Sequence, residues 1–458
     1  MSRVLALSVA PGEVRGVLLE DDRPVELRLE RDAAASLVGA VFFGRIARVV
    51  PSLPGAFIEL GLARPAFLPG DKLPGGGALI EGAGLMVKIV KDGFADKAPE
   101  VTAAPDFPGR FAVWTPFRPG TAVSRQIAPD ERSRLLALLA PLVNPGEGVV
   151  LRSHAAGVAA ADIATDLDQL RRNYAALRAA ADTGTGLRRL DPVQNALVRL
   201  AAGIGPDIDH IVIDDRASLP LLRRGLAHPE RAEFDPAPGF AERYGVTEAF
   251  EEALATRLPL AGGGDITIEG TVGFTAIDVN LAAAAGRRGR AADAILAVNL
   301  AAATAVARQL RLRNIGGAII VDFITMAARD HRRQVETALA LVAIGDPVPT
   351  ELHGWTRLGH LELTRRRGTA SIADRMLLPG GARRPKTPAT VALELLRALA
   401  ATPYRPGRLE LRMAAGVADE LTGRLAAAFA ASVATCGRPA KITIESDRDP
   451  ESFEILTA

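Results

Sequence analysis

Residues 265–280, DITIEGTVGFTAIDVN, read as a strand hairpin, and residues 318–324, AIIVDFI, read as a strand that begins where a long amphipathic helix, 291–313, is stopped by Asn314-Ile315-Gly316-Gly317. Both stretches carry an acid where an apolar residue would cost less. Asp278 sits among aliphatic neighbours with Asn280 two residues on, hence on the same strand face, and Asp322 follows four apolar residues. Taking an unpaired carboxylate out of water costs several kcal/mol, so each acid needs a partner, a cation, or water at a strand end. If the two strands are neighbours, the acids converge and repel each other. A divalent cation resolves that repulsion, and oxygen ligands of this kind suit Mg²⁺ or Mn²⁺. Such a site could bind a phosphodiester oxygen and lower the pKa of a water. The residues leave a plainer alternative open, in which each Asp pairs with one of Arg287, Arg288, Arg290, Arg308, Arg311 and Arg313.

Working outward, residues 1–35 alternate as a three-strand meander, LALSVA, EVRGVLLE and PVELRLE, with turns at Pro11-Gly12 and Arg23-Pro24. Residues 36–104 hold several short strands with Gly/Pro turns and recurrent aromatics, which suggests a small barrel of the oligonucleotide-binding kind. From 105 to about 200 the pattern mixes strands (RFAVWTP, GVVLRSH) with helices over 129–142 and 159–181. A strand at 208–215 and helices at 218–227 and 247–255 follow. Residues 377–388, LLPGGARRPKTP, look like a linker, and beyond it the pattern gives helix 390–401, strand RLELRM, helix 416–434 and strands KITIESD and FEILTA. The fold class is therefore α/β (α+β) and multidomain, about three units for 458 residues.

Composition narrows the function classes. The chain is 48% hydrophobic and 24% charged, which argues against wholesale disorder. Its formal net charge of +2 is too small to announce a nucleic-acid partner, so any basic surface is local. Arginine dominates, with 49 Arg against six Lys. The single cysteine, Cys436, excludes an intrachain disulfide framework and any site built from several thiolates of one chain. No uninterrupted apolar run of transmembrane length stands out, and MSRVLALSVAPGEVRG is charged too soon for a secretory signal, so a cytoplasmic protein with no membrane segment is expected.

Four stretches in order, GRIARVVPSLPGAFIELGLARPAFLP, ITIEGTVGFTAIDVN, NLAAATAVARQLRLRNIGGAIIVDFITM and TRLGHLELTRRR, closely resemble the catalytic region of the ribonuclease E/G family, over about residues 1–375. In length and in its terminal β-rich piece the chain looks more like the ribonuclease G branch. The resemblance implies an RNase H-like subdomain in two parts, 1–35 and 200–255. Between them it implies an S1 (OB-fold) barrel at 36–104 and a segment sensing the RNA 5′ end at 105–199. A DNase I-like nuclease subdomain at 256–376, the linker 377–388 and a small C-terminal domain at 389–458 complete the expected layout. It implies that Asp278 and Asp322 hold Mg²⁺, with Mn²⁺ as a substitute, and that Asn280 assists them in cutting single-stranded RNA to 5′-phosphate and 3′-hydroxyl ends, in ribosomal or messenger RNA processing or decay. Phe57, Phe67 and Lys97 match residues that hold the RNA strand. Arg152, Ser153 and Arg357 match residues that sense a 5′-monophosphate, with Ser153 where Thr is more usual. Arg311 and Arg313 are expected to stabilise the phosphate.

Three departures weaken the match. The cysteine pair through which family subunits share zinc is missing, so no structural zinc is expected and only a zinc-free homodimer remains open. Thr325 and Ala301 stand where acids are usual, and Leu281 stands where a small hydroxyl residue is usual. Losses in the shell around metal ligands commonly cost about 10–100-fold in affinity or activity. The rival expectation is a catalytically degenerate member that binds RNA without cutting it.

Overall fold

Three antiparallel strands open the chain, β1 (Arg3–Ala10), β2 (Glu13–Glu20) and β3 (Arg23–Arg31), and Gly12 at φ +83° makes the first turn. The structure is a computed structural model. It describes residues 2–457 except 34–36, 51, 94–96, 126, 185, 193–194, 206–207, 227, 282–290, 381–383 and 403–406. The chain is mixed α/β and divides into two units, Met1–Ala35 with Asn195–Ala458, and Ser36–Gln194.

In the Ser36–Gln194 unit, β4 (Val41–Val50), β5 (Gly55–Glu59), β6 (Ala66–Pro69), β7 (Gly84–Lys91) and β8 (Glu100–Thr102) follow in sequence. They pair in the order β4-β5-β6-β8-β7, and β7 pairs back to β4, closing a five-stranded barrel. Closure leaves no strand edge in this ring. Ala56, Ile58, Ala66, Leu68, Val87, Ile89 and Val101 fill the interior. Beside it β9 (Phe107–Pro108), β10 (Ala112–Thr115), β11 (Gly120–Val123) and β12 (Gly148–Leu151) form a sheet ordered β11-β12-β10-β9. Helices α1 (Pro129–Leu139) and α2 (Ala160–Asp182) supply Leu135, Leu139, Ile163 and Leu167 to its core with Trp114 and Val149. A short β13 (Arg188–Arg189) pairs with β4.

In the other unit, β14 (His210–Ile213) runs parallel to β1, and β15 (Ala232–Phe234) runs parallel to β14. Residues before and after the 36–194 segment thus share one sheet, ordered β15-β14-β1-β2-β3. Leu5 and Leu7 on one face pack with α3 (Ala196–Ala202) and α4 (Leu219–Gly225), while Ala6 and Val17 on the other pack with α5 (Phe240–Arg243) and α6 (Val246–Leu254). A six-stranded sheet follows, built from β16 (Arg257–Pro259), β17 (Asp265–Gly270), β18 (Phe274–Asn280), β19 (Gly317–Asp322), β20 (Thr350–Trp355) and β21 (Leu361–Arg365), ordered β16-β17-β18-β19-β21-β20. Helices α7 (Ala291–Leu312) and α8 (Arg329–Ala343) cover one face of it. By length and composition α7 is long and apolar enough to cross a bilayer, although Asn299, Thr304, Arg308 and Gln309 interrupt its apolar run, and Val298, Ala302, Ala303, Val306 and Leu310 pack into this core.

After α9 (Ile372–Met376), Leu377 bridges to Lys386, and Thr387 caps α10 (Pro388–Ala401) by accepting from the Thr390 N–H. The stretch read as a linker is therefore tied at both ends; its residues 381–383 lie outside the described residues. The C-terminal piece adds β22 (Leu409–Met413), α11 (Ala415–Thr422), α12 (Ala426–Cys436), β23 (Ala440–Ile444) and β24 (Phe453–Thr457). The single helix expected at 416–434 is two, because Gly423 takes a non-helical φ −102°, ψ −108° between them.

One ion cluster ties the C-terminal piece to the first sheet. The buried Glu13 carboxylate of β2 accepts from Arg15 at 2.6 Å and Arg31 at 2.8 Å, and Arg397 of α10 approaches at 3.4 Å. Burial pushes this carboxyl up, but Arg15, Arg31 and Arg397 together outweigh it and hold it at about 2, against an ordinary 4.5. A depressed carboxylate stabilises the fold fully above its unfolded value and stops doing so as pH falls through its folded value. Glu13→Gln leaves three guanidinium groups facing a neutral amide and is expected to lower unfolding free energy by about 3–5 kcal/mol in a denaturant titration. Between pH 4.5 and about 2 the parent should lose stability that this variant has already lost.

Candidate active site

The strand period and the burial of one face decide where the acids point. Ile277, Val279, Ile319 and Val321 face the α7–α8 core, so Asp278, Asn280 and Asp322 face the other way. β18 and β19 are parallel neighbours, and Asp278 is paired in register with Asp322. Neighbouring strands lie about 4.8 Å apart, so two carboxylates stand side by side at the ends of adjacent strands. The convergence expected from the sequence is present.

The burial expected with it is not. Both residues are exposed, and the Asp322 side chain is 58% exposed. The strands end at the open face of a half-covered sheet, where water reaches the carboxylates. Desolvation therefore does not force a cation onto them, and what remains is their mutual repulsion. No Lys or Arg pairs with either among the described residues. The Asp278 carboxylate has no hydrogen-bond or ion-pair partner there, and the only one for the Asp322 carboxylate is His360 Nε2 at 3.7 Å. Arg308 pairs with Glu252 at 2.7 Å, and Arg311 with Glu20 at 3.0 Å and Glu26 at 3.8 Å. The buried Arg313 donates to Gln309 at 2.6 Å and to the Glu252 carbonyl at 2.9 Å, with burial pulling it down to about 10. These three arginines are neither clamps on the acids nor phosphate ligands beside them, because the back of α7 faces a different set of acids. Arg287, Arg288 and Arg290 lie outside the described residues.

Asn280 is paired in register with Asp265 and donates Nδ2 to its Oδ1 at 3.3 Å. Asp265 is held below the usual carboxylate range, first by the Arg257 guanidinium at 2.6 Å. With its amide nitrogen committed, Asn280 keeps its carbonyl oxygen as the end available to water or a cation. Three residues here escape the sequence reading. His360 lies inside the quoted stretch TRLGHLELTRRR but carries no periodic signal. Asp265 opens the hairpin as an ordinary polar end. Asn299 is fully buried in α7, donates to the Ile324 carbonyl at 2.8 Å and accepts from the Ile324 N–H at 3.1 Å, which fixes the backbone just past Asp322. An amide inside the apolar run AILAVNLAAATAVA is the signal that could have found it. Thr325 and Leu281 are exposed and Ala301 is half-buried.

The remaining candidates divide between the units. Arg357 is exposed in the turn between β20 and β21, in the same hairpin as His360. In the other unit, Phe57 and Phe67 are register partners on β5 and β6. Their neighbours Ala56, Ile58, Ala66 and Leu68 point into the barrel, so both rings lie on its outside, half-exposed, 5.6 Å apart and edge to face. A Cβ on Gly55 would meet the Phe67 ring at 2.6 Å, so only glycine admits that ring over β5. Lys97 is exposed on the segment whose Pro99 carbonyl accepts from the Phe67 N–H at 2.7 Å. Arg152 and Ser153 follow β12. Arg152 donates to the Gly109 carbonyl at 3.0 Å, in a loop whose backbone N–H groups at Arg110, Phe111 and Ala112 all donate to Asp166.

The Ribonuclease E/G family matches residues 106–368. The chain is 29% identical to Ribonuclease G of Salmonella typhimurium (strain SL1344), with all of both chains covered. It is 29% identical to Ribonuclease G of Haemophilus influenzae, with 86% of each chain covered, and 30% identical to Ribonuclease E of Escherichia coli (strain K12), with 82% of this chain and 38% of that one covered. The side-by-side aspartates and their flanking amide thus occur in a chain that belongs to the ribonuclease E/G family.

Proposed function

We propose that this protein is an endoribonuclease that hydrolyses phosphodiesters of single-stranded RNA, ribosomal or messenger, in the cytoplasm, leaving 5′-phosphate and 3′-hydroxyl ends. The observation that carries the reading is the register pairing of Asp278 with Asp322 on an exposed sheet face, without a Lys or Arg partner among the described residues. Two adjacent anions with hard oxygen donors fit a divalent cation such as Mg²⁺ or Mn²⁺. When bound, that ion supplies Lewis-acid stabilisation of phosphoryl charge and a better nucleophile from water. Asp278 and Asp322 would hold it, and Asn280 would orient one aspartate or, by accepting a hydrogen bond at its carbonyl oxygen, a bound water. Asn299 keeps the Asp322 strand end in place.

The barrel at 36–104 is read as the S1-type RNA holder. Phe57 and Phe67 offer ring surface to bases, and Lys97 supplies positive charge, a combination that tolerates any sequence. Arg152 and Ser153, at 105–199, suit a terminal monophosphate, since a guanidinium fork and a hydroxyl are good phosphate ligands. Arg357 is assigned to the same sensing. The RNase H-like parts at 1–35 and 200–255 and the DNase I-like part at 256–376 complete the proposed layout. Thr325, Ala301 and Leu281 favour the rival reading, a member that binds RNA without cutting it.

Incubation of a short 5′-monophosphorylated, A/U-rich oligoribonucleotide with and without Mg²⁺ separates the two. Cleavage should require the metal and fall by at least about 100-fold in Asp278→Asn and in Asp322→Asn while RNA binding persists. Tight binding with no product under Mg²⁺ or Mn²⁺ overturns the enzyme reading in favour of the binder. Arg152→Ala should reduce cleavage of the 5′-monophosphorylated oligonucleotide by about tenfold while leaving its 5′-hydroxyl counterpart unchanged, as judged by initial rates on the two substrates. Equal losses on both would remove the end-sensing role.

A further inference from the structure

From the outer surface of the barrel we infer that Arg48 is an RNA-contacting residue, its guanidinium bonding a backbone phosphate beside the base that stacks on Phe57. The inference rests on the proposed role of the barrel and adds a residue to it.

A β-bulge puts Arg48 where it is. Along β4, Ile46 is buried and pairs with Ile58; strict alternation from there would send Ala47 outward, Arg48 into the barrel and Val49 outward. Instead the register shifts between Ile46 and Arg48. Ala47 and Arg48 are both exposed, Arg48 pairs with Phe57, and Val49 returns to pair with the fully buried Ala56 and pack on the core. One extra residue in a strand re-aims the next side chain, and here it keeps a guanidinium out of an apolar interior and sets it beside a half-exposed ring.

Arg48, Phe57 and Phe67 thus form a row across three adjacent strands. The guanidinium carbon lies 5.4 Å from the Phe57 ring centre, and the Phe57 and Phe67 ring centres are 5.6 Å apart. Among the described residues no acid or carbonyl accepts a hydrogen bond from Arg48. Its five N–H donors are therefore free for a ligand while the ring holds the plane of the fork. A stacking surface with an unpaired guanidinium at its end matches the two faces of a single-stranded nucleotide, a flat base and an anionic phosphate.

A phosphate contact and a purely structural contact with Phe57 differ in salt dependence. Binding of a fluorescent oligouridylate to the full-length protein, followed by anisotropy in EDTA across a salt series, reads both affinity and slope. Arg48→Ala should bind about tenfold more weakly at low salt and show a log–log salt slope shallower by about 0.7, the share of one phosphate contact on a single strand. Arg48→Lys should restore the slope, because the charge is kept. If Arg48→Ala keeps the parental slope, whatever its affinity, the inference is wrong and Arg48 only supports the ring. If the double variant Phe57→Leu/Phe67→Leu binds as tightly as the parent, the barrel reading itself fails, an outcome distinct from failure at Arg48 alone.

Discussion

Two carboxylates placed in register on neighbouring parallel strands repel each other, and every other feature of the six-stranded sheet works to keep them there. The hydrogen-bond ladder between Phe274–Asn280 and Gly317–Asp322 fixes which residues are opposite, and burial of Ile277, Val279, Ile319 and Val321 fixes which face is which. A slip of one residue in either strand would turn its acid toward the core and its two aliphatic side chains toward water, so register is strongly specified. The parallel arrangement needs a crossover, and α7 is that crossover. Its apolar side covers the sheet and its Asn299 reaches past the strand end to hold Ile324. The same helix that brings the strands together thus also stops the Asp322 end from relaxing away from Asp278.

The barrel solves a related problem by breaking the period instead of keeping it. A small closed ring must fill its interior with apolar side chains and still present function outside. Phe57 and Phe67 are outside by simple alternation, but Arg48 is outside only because one residue is inserted in β4. Regular alternation and a bulge therefore cooperate to collect two rings and a guanidinium on one outer row.

This difference explains what could be read from the residues. The strand hairpin at 265–280, the helix before residue 314 and the strand at 318–324 are legible because period and terminators are local, and with them the convergence of Asp278 and Asp322 once the strands are taken as neighbours. The exposure of those acids is not legible, since it depends on which face of the sheet lacks a helix. Neither is the fate of Arg311 and Arg313, whose partners Glu20, Glu26 and Glu252 come from distant parts of the chain. Gly423 breaks what looks like one helix, because a glycine inside an apolar periodic run reads as tolerated until its dihedrals are known. Arg48 stays hidden for the same kind of reason: a bulge has no signature in a period of two.

Arginine content by itself says little about RNA, and the structure gives the reason. Much of it serves inside the fold: Arg15, Arg31 and Arg397 surround Glu13, Arg311 bridges Glu20 and Glu26, and Arg365 closes on the buried Asp346 at 2.7 Å. Those guanidinium groups are engaged by acids inside the fold and cannot also meet phosphate. Arg48, Arg152 and Arg357 differ in having no acid partner among the described residues: Arg152 is tethered by one carbonyl, Arg48 by one ring, and Arg357 stands exposed in a turn. In a chain of net charge +2, the positions of uncompensated groups such as these, more than the number of basic residues, decide where positive potential is exposed.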